Sequence, residues 1–148
     1  QFIGPLLSQR TCSLDTYTVD IEEGAHVRST FLIGAALATL LTAFAHSFVG
    51  EKRLITPLVA SNEGVMSRLL AKQVVRYAWH LTSLLWIGQS LLLLRAAANP
   101  QYFDPALVAG IGILYIGVGL FDAVATRGKH IGWPLLTAIG IFSILSLA

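Results

Sequence analysis

Four long apolar segments fill most of this 148-residue chain, and each is long enough to cross a membrane. They contain about 18 to 21 residues each and cover Phe31 to Val49, Tyr77 to Leu94, Pro105 to Ala125 and Ile131 to Ala148. At 1.5 Å of rise per residue, helices of this length span a hydrocarbon core of roughly 30 Å. Asp122 is the only Asp, Glu, Lys or Arg within the four segments. The sequence therefore predicts an all-α membrane protein.

The signals between these segments predict an up-and-down bundle of four transmembrane helices that forms one domain, residues 31–148. Ser61 or Asn62 can cap a second helix that starts before its apolar segment and continues without a break. Asp104 followed by Pro105 is a strong start for the third helix. The predicted helices cover residues 31–49, 64–95, 105–126 and 131–148.

Residues 1–30 differ from the rest of the chain, because they are polar and acidic. They predict an extramembrane N-terminal arm. Within this arm, apolar residues alternate with polar ones at Tyr17, Val19 and Ile21. Alternation of this kind favours one extended strand.

Charge distribution predicts the orientation in the membrane. The loops that follow the first and third helices, with the start of the second helix, hold seven basic residues: Lys52, Arg53, Arg68, Lys72, Arg76, Arg127 and Lys129. The opposite side holds three, namely Arg10, Arg28 and Arg95. The positive-inside rule therefore places the first side in the cytoplasm and both termini across the membrane. A net charge of +2 gives no reason to expect nucleic acid as a partner.

The first apolar segment has two distinct faces at helical spacing. Small and hydroxyl-bearing residues line one face (Ala35, Thr39 and Thr42), and bulky residues line the other (Leu37, Leu41 and Phe44). Small residues let helix backbones approach closely in membranes. We therefore expect the first face to be buried and the second to face lipid or a partner.

Titratable residues collect near the cytoplasmic ends of the predicted helices. The set is His46, Glu51, Arg53, Arg76, His80, Asp122 and His130. Ionisable groups within a membrane are costly, so they usually face the bundle interior or a cavity. The sequence predicts that these side chains meet in one polar cluster, with Glu51 paired to Arg76 or Arg53.

Three interpretations of this cluster remain open. The first is structural, with paired side chains that hold the helix ends in register. In the second, His46 and His80 bind haem b, since paired histidines on neighbouring helices are a common way for bundles to hold haem. In the third, His46, His80 and Asp122 form a proton or metal site.

A basic stripe opens the predicted second helix, where Arg68, Lys72 and Arg76 recur every four residues. Trp79 follows one turn later. Cations and tryptophan at this depth are typical of contacts with anionic lipid headgroups. A docking surface for another subunit is the alternative.

The chain contains no P-loop, GxGxxG, HExxH or CxxC pattern, and Cys12 is its single cysteine. The motifs that would indicate nucleotide binding, zinc-dependent hydrolysis or thiol redox chemistry are thus missing from the sequence. This favours a protein that is not an enzyme.

Two short motifs resemble a group of uncharacterised small bacterial inner-membrane proteins. The first is His46-Ser-Phe-Val-Gly50-Glu51-Lys-Arg53, which matches H-S-x-x-G-E-x-R, and the second is Arg76-Tyr-Ala-Trp79-His80, which matches R-x-x-W-H. The resemblance covers residues 30 to 95, and the last two helices agree only in hydropathy. It implies a four-helix protein of the bacterial inner membrane, with no established activity.

Together these features predict a non-catalytic accessory or assembly subunit of a larger membrane complex, such as a respiratory or photosynthetic one. The expected partners are the bilayer and other membrane subunits. The alternative is a small protein that binds haem b, or another cofactor, through His46 and His80. A Soret band in the absorption spectrum of the purified protein would distinguish the alternative from the first prediction.

Overall fold

The computed structural model describes the backbone of residues 4–148 and the side chains of residues 23–148. The described chain is helical, with no strand. Its elements are α1 (Gly4–Ala45), a π-helix (His46–Ile55), α2 (Thr56–Ala60), a 3-10 turn (Gly64–Ser67), α3 (Leu69–Ala98), a second 3-10 turn (Pro100–Tyr102), α4 (Pro105–Ala125) and α5 (Gly132–Leu145).

The first helix is much longer than the sequence predicts. Helix α1 passes directly into the π-helix and then into α2, so that the chain stays helical from Gly4 to Ala60. No proline interrupts this stretch between Pro5 and Pro57, and proline is the residue that most strongly breaks a helix interior. The segment containing Tyr17, Val19 and Ile21 lies inside α1. The prediction of an extended strand there is therefore wrong.

The second predicted helix is interrupted near its start. Asn62 and Gly64 have positive φ angles of 54° and 53°, and these left-handed conformations reverse the chain after α2. Arg68 is extended, with φ −92° and ψ 126°, and α3 begins only after it. The unbroken helix predicted from residue 64 is thus replaced by a 3-10 turn, an extended residue and α3.

Within the described part of the chain, three helices are long and apolar enough to cross a membrane, namely Glu23–Ala60, Leu69–Ala98 and Pro105–Ala125. Helix α5 is apolar but has only 14 residues, which corresponds to about 21 Å. It is shorter than the span predicted for residues 131–148. Helix α4 begins as predicted, because the Asp104 carboxylate accepts hydrogen bonds from the backbone N–H of Ala106 (2.9 Å) and Leu107 (3.2 Å).

Helix α1 is the central element of the bundle, since it packs against both α3 and α5, while α4 packs mainly against α5. The predicted faces of α1 are confirmed: Ala35, Thr39 and Thr42 are buried, whereas Leu37, Leu41 and Phe44 are exposed. Polar contacts add to this core. Ser90 on α3 donates to the backbone oxygen of Ala36 (3.0 Å), and Tyr115 on α4 donates to Gln89 on α3 (2.9 Å).

Glycine permits a very close crossing between α4 and α5. A Cβ atom added at Gly140 would lie 2.7 Å from the backbone oxygen of Gly112 and 2.7 Å from the backbone nitrogen of Ile116. A Cβ at Gly119 would meet the backbone and side chain of Thr137. The two helices therefore touch through their backbones, which is the mode of contact that small residues support in membranes.

Candidate functional site

The two motifs singled out in the sequence converge where the π-helix packs against the start of α3. In the π-helix each N–H bonds back five residues, and the N–H of Thr56 accordingly reaches the carbonyl oxygen of Glu51. His46, Ser47, Gly50 and Glu51 are partly buried, whereas Phe48, Val49 and residues 52–54 are exposed. The spacing of the inward residues follows the longer turn of the π-helix. We call the group formed by His46, Ser47, Gly50, Glu51, Arg76, Trp79, His80 and Ser83 the α1–α3 polar cluster.

Glu51 is the charged centre of this cluster. Its Oε1 lies 2.9 Å from Nη2 of Arg76 and accepts a hydrogen bond from the Thr56 hydroxyl at 3.0 Å. Its Oε2 lies 3.4 Å from Nε2 of His80. The pair between Glu51 and Arg76 is one of the two predicted alternatives. Arg53, the other predicted partner, is exposed and forms no ion pair with the side chains that the structure describes.

His80 connects the carboxylate to two serines. Its Nδ1 is 3.1 Å from the Ser47 hydroxyl, which in turn donates to the Ser83 hydroxyl at 2.9 Å. A hydroxyl, an imidazole and a carboxylate in this order are the parts of a nucleophilic site. Here, however, Ser47 shares its hydroxyl with Ser83, and the contact between His80 and Glu51 has the distance of an ion pair without hydrogen-bond geometry. The arrangement is better suited to holding α1 and α3 together.

Trp79 joins His46 to the same cluster. The two rings are stacked, with centroids 3.8 Å apart and planes 12° apart, and the indole N–H of Trp79 donates to the backbone oxygen of His46 at 3.0 Å. Trp86 contacts the His46 ring edge-on, at 5.0 Å. A Cβ atom at Gly50 would collide with the Trp79 ring. Glycine at this position thus makes room for the stack.

Asp122 and His130 form a second, separate pair. His130 Nδ1 lies 2.6 Å from Oδ2 of Asp122, because the chain turns back after α4 through Arg127 and Gly128, both with positive φ angles. No hydrogen bond or ion pair between described side chains joins this pair to Glu51. The sequence predicts one polar cluster, but the structure has two separate groups. One lies between the π-helix and α3, and the other lies at the turn between α4 and α5.

Only Lys72 and Arg76 of the predicted basic stripe lie on α3, and Arg68 precedes the helix. Lys72 donates to the side chain of Asn62 at 2.9 Å, and Arg68 is exposed in the break before α3. Trp79 was predicted to lie at the headgroup level, in contact with lipid or a partner. Its ring instead packs against His46 inside the polar cluster.

Metal and haem binding require free ligand atoms. Among the described residues, no group of three or more His, Cys, Asp or Glu side chains is arranged to hold a metal ion. Both ring nitrogens of His80 face Ser47 or Glu51. His46 differs, because its Nε2 is buried with no hydrogen-bond partner. Of the predicted pair, His46 therefore has a buried nitrogen without a hydrogen-bond partner among the described residues, whereas His80 is engaged at both nitrogens.

The sequence did not place three residues in the polar cluster, namely Ser47, Gly50 and Ser83. Ser47 and Gly50 stand inside the motif that begins at His46, and Ser83 follows His80 by three residues on the same helix face. These are the signals from which they could be found. Comparison with protein-family models, curated proteins and solved structures finds no match for this chain.

Proposed function

We propose that this chain is a non-catalytic integral membrane protein that serves as an accessory or assembly subunit of a larger membrane complex, of the respiratory or photosynthetic kind. One observation carries the proposal: Gly110 and Gly117, seven residues apart on the outward face of α4, have nothing within 4 Å of an added Cβ atom. Glycines at membrane helix contacts allow backbones to approach closely. Those at Gly112 and Gly119 do so inside this protein, which leaves Gly110 and Gly117 without such a contact among the residues that the structure describes.

The surroundings of these glycines support a helical partner. Ile113, Leu114 and Phe121 share the same face of α4 and are 61% to 74% exposed. Large side chains flanking two glycines form a ridged surface into which another membrane helix packs well. We therefore assign the partner contact to the outward face of α4.

The α1–α3 polar cluster supports a structural role within this proposal. All of its residues except Ser83 belong to the two motifs that resemble those of the small bacterial inner-membrane proteins described above, and they contact one another through Glu51, Trp79 and His80. We propose that the chain is related to that group and that the motifs hold α1 and α3 in register.

Haem binding is the second candidate, and the buried Nε2 of His46 is the observation that favours it. A haem held by a histidine pair would also need His80 to leave Ser47 and Glu51. Because that step would break the polar contacts between α1 and α3, we place haem binding below the subunit role.

The first prediction concerns the partner. Gly117→Leu, alone or with Gly110→Leu, is expected to reduce co-purification of partner subunits in mild detergent by at least tenfold, because the new side chains fill the space that a partner backbone occupies. The helix content of the protein should not change, since both positions are open in this chain.

Gly88→Leu is the matched control, because Gly88 lies on α3 and also has nothing within 4 Å of an added Cβ atom. It should leave co-purification unchanged. Equal recovery of partners with the α4 variants and the unmodified protein would contradict the assignment to α4.

The second prediction concerns orientation in the bacterial inner membrane. We propose that both termini are periplasmic and that the segment between α2 and α3 is cytoplasmic. In a chain whose Cys12 is replaced by serine, a cysteine introduced at the exposed position of Glu63 should resist an impermeant thiol reagent in intact cells and react after lysis. A cysteine at the exposed position of Gln101 should react in both cases. Ready labelling of position 63 in intact cells would reverse the orientation.

A further inference from the structure

A groove of about 430 Å³ runs along the outer surface between α1 and α3. One wall is formed by Leu37, Leu41 and Phe44 of α1 with Phe48 of the π-helix, and the other wall includes Ile87 of α3. From Leu37 to Phe48 the wall is about 16 Å long. Apart from Ser47 and Ser83, the side chains that line the groove are apolar. The groove therefore suits an apolar occupant.

The polar side chains that line the groove are already hydrogen-bonded within the protein. Ser47 and Ser83 both line the groove, and the Ser47 hydroxyl donates a hydrogen bond to the Ser83 hydroxyl at 2.9 Å. Ser47 also contacts His80. Since these polar atoms are already paired, a hydrocarbon chain can lie over them without leaving a buried group unsatisfied.

Two exposed cations follow the groove at its Phe48 end. Lys52 and Arg53 follow Phe48 by four and five residues, and both are exposed. Neither forms an ion pair with the described side chains, whereas Arg76 nearby is paired with Glu51. Beyond Leu37, at the other end, the next exposed side chain along α1 is the apolar Ile33, and the nearest basic residues, Arg28 and Arg95, lie further along the two helices. In sequence, the basic residues closest to the groove are thus those at its Phe48 end.

We propose that this groove binds one anionic phospholipid, with an acyl chain between α1 and α3 and the phosphate beside Lys52 and Arg53. A phospholipid has the same order of charged head and apolar chain, and a cation near the membrane surface attracts anionic lipid. The inference rests on the proposed membrane insertion but not on the proposed partner of α4.

Native mass spectrometry of the delipidated full chain tests the proposal. Titration with phosphatidylglycerol should give one bound lipid, held at least fivefold more tightly than phosphatidylcholine. Lys52→Gln should weaken phosphatidylglycerol binding by about fivefold, the effect expected for one cation near a membrane surface. Lys129→Gln removes an exposed cation from another loop and should have no effect. Equal binding of the two lipids, or no effect of Lys52→Gln, would overturn the headgroup site.

Two further variants test the acyl chain. Ile87→Trp and Leu41→Trp project into the groove from opposite walls, and each should reduce binding of both lipids at least threefold. Leu91→Trp, at an exposed position of α3 outside the groove, is the control. Unchanged lipid binding by the two groove variants would refute the proposal. If these variants changed the oligomeric state and left lipid binding unchanged, the groove would be assigned to a second copy of the chain. Because neither variant alters α4, co-purification of partners separates failure here from failure of the proposed function.

Discussion

Gly140→Leu is expected to destabilise the protein by about 3 kcal/mol or more, the largest effect that we predict for a single substitution. Even a Cβ atom at this position would stand 2.7 Å from two backbone atoms of α4, the oxygen of Gly112 and the nitrogen of Ile116. Backbone atoms cannot rotate away as a flexible side chain does. Helices α4 and α5 must therefore separate along their contact.

Thermal unfolding in detergent, followed by circular dichroism at the helix band, measures this effect. The matched control is Gly117→Leu, the same substitution at an open position of α4, which should leave the unfolding temperature within a degree or two of the unmodified protein. Similar unfolding temperatures for the two variants would show that α4 and α5 do not cross as closely as the structure places them.

The second large effect is expected from Glu51→Ala, which removes the carboxylate that faces both Arg76 and His80. The Glu51 side chain is 22% exposed and that of Arg76 is 46% exposed, so the stranded guanidinium regains some contact with water. We therefore expect a loss of about 1 to 3 kcal/mol, the range for hydrogen bonds to charged groups, rather than the larger loss found for fully buried pairs.

Glu63→Ala is the control for this second effect, because Glu63 is exposed in the segment between α2 and α3. Its substitution should change stability by less than about 0.5 kcal/mol. Stability should be measured by the same thermal unfolding experiment. An equal response to both substitutions would mean that the Glu51 ion pair contributes nothing beyond an ordinary surface charge.

The sequence predicts well those features that depend on local periodicity and capping. The two faces of α1 follow from the recurrence of small residues at Ala35, Thr39 and Thr42, and burial confirms them. The start of α4 follows from the carboxylate of Asp104, which caps the helix through two backbone N–H groups. Both features are set by residues close together in the chain.

The π-helix could not be predicted from local periodicity and capping. Residues 46–55 contain no proline, and nothing in their local pattern separates a π-helix from an α-helix. What distinguishes this segment is its contact with α3, where Trp79 fills the space beside Gly50 and stacks on His46. These partners are more than 25 residues apart, so their meeting depends on how the helices pack.

The division of the predicted polar cluster has the same origin. Hydropathy places Asp122 and His80 near the same end of their helices, but it gives no distance between α3 and α4. In the structure α3 packs mainly against α1, and α4 packs mainly against α5. Asp122 consequently pairs with His130, which the turn after α4 brings back to it.

In the membrane arrangement proposed above, the length of the first helical segment would tie the α1–α3 polar cluster to the thickness of the bilayer. The segment Glu23–Ala60 contains 38 residues, whereas about 20 are enough to cross a hydrocarbon core of about 30 Å. The ion pair between Glu51 and Arg76 lies near the Ala60 end of this segment. A thicker membrane would draw it toward hydrocarbon and a thinner one would release it to water, while tilt of the helix absorbs part of the difference. In that arrangement, the strength of the contact between α1 and α3 would vary with the lipid composition of the membrane.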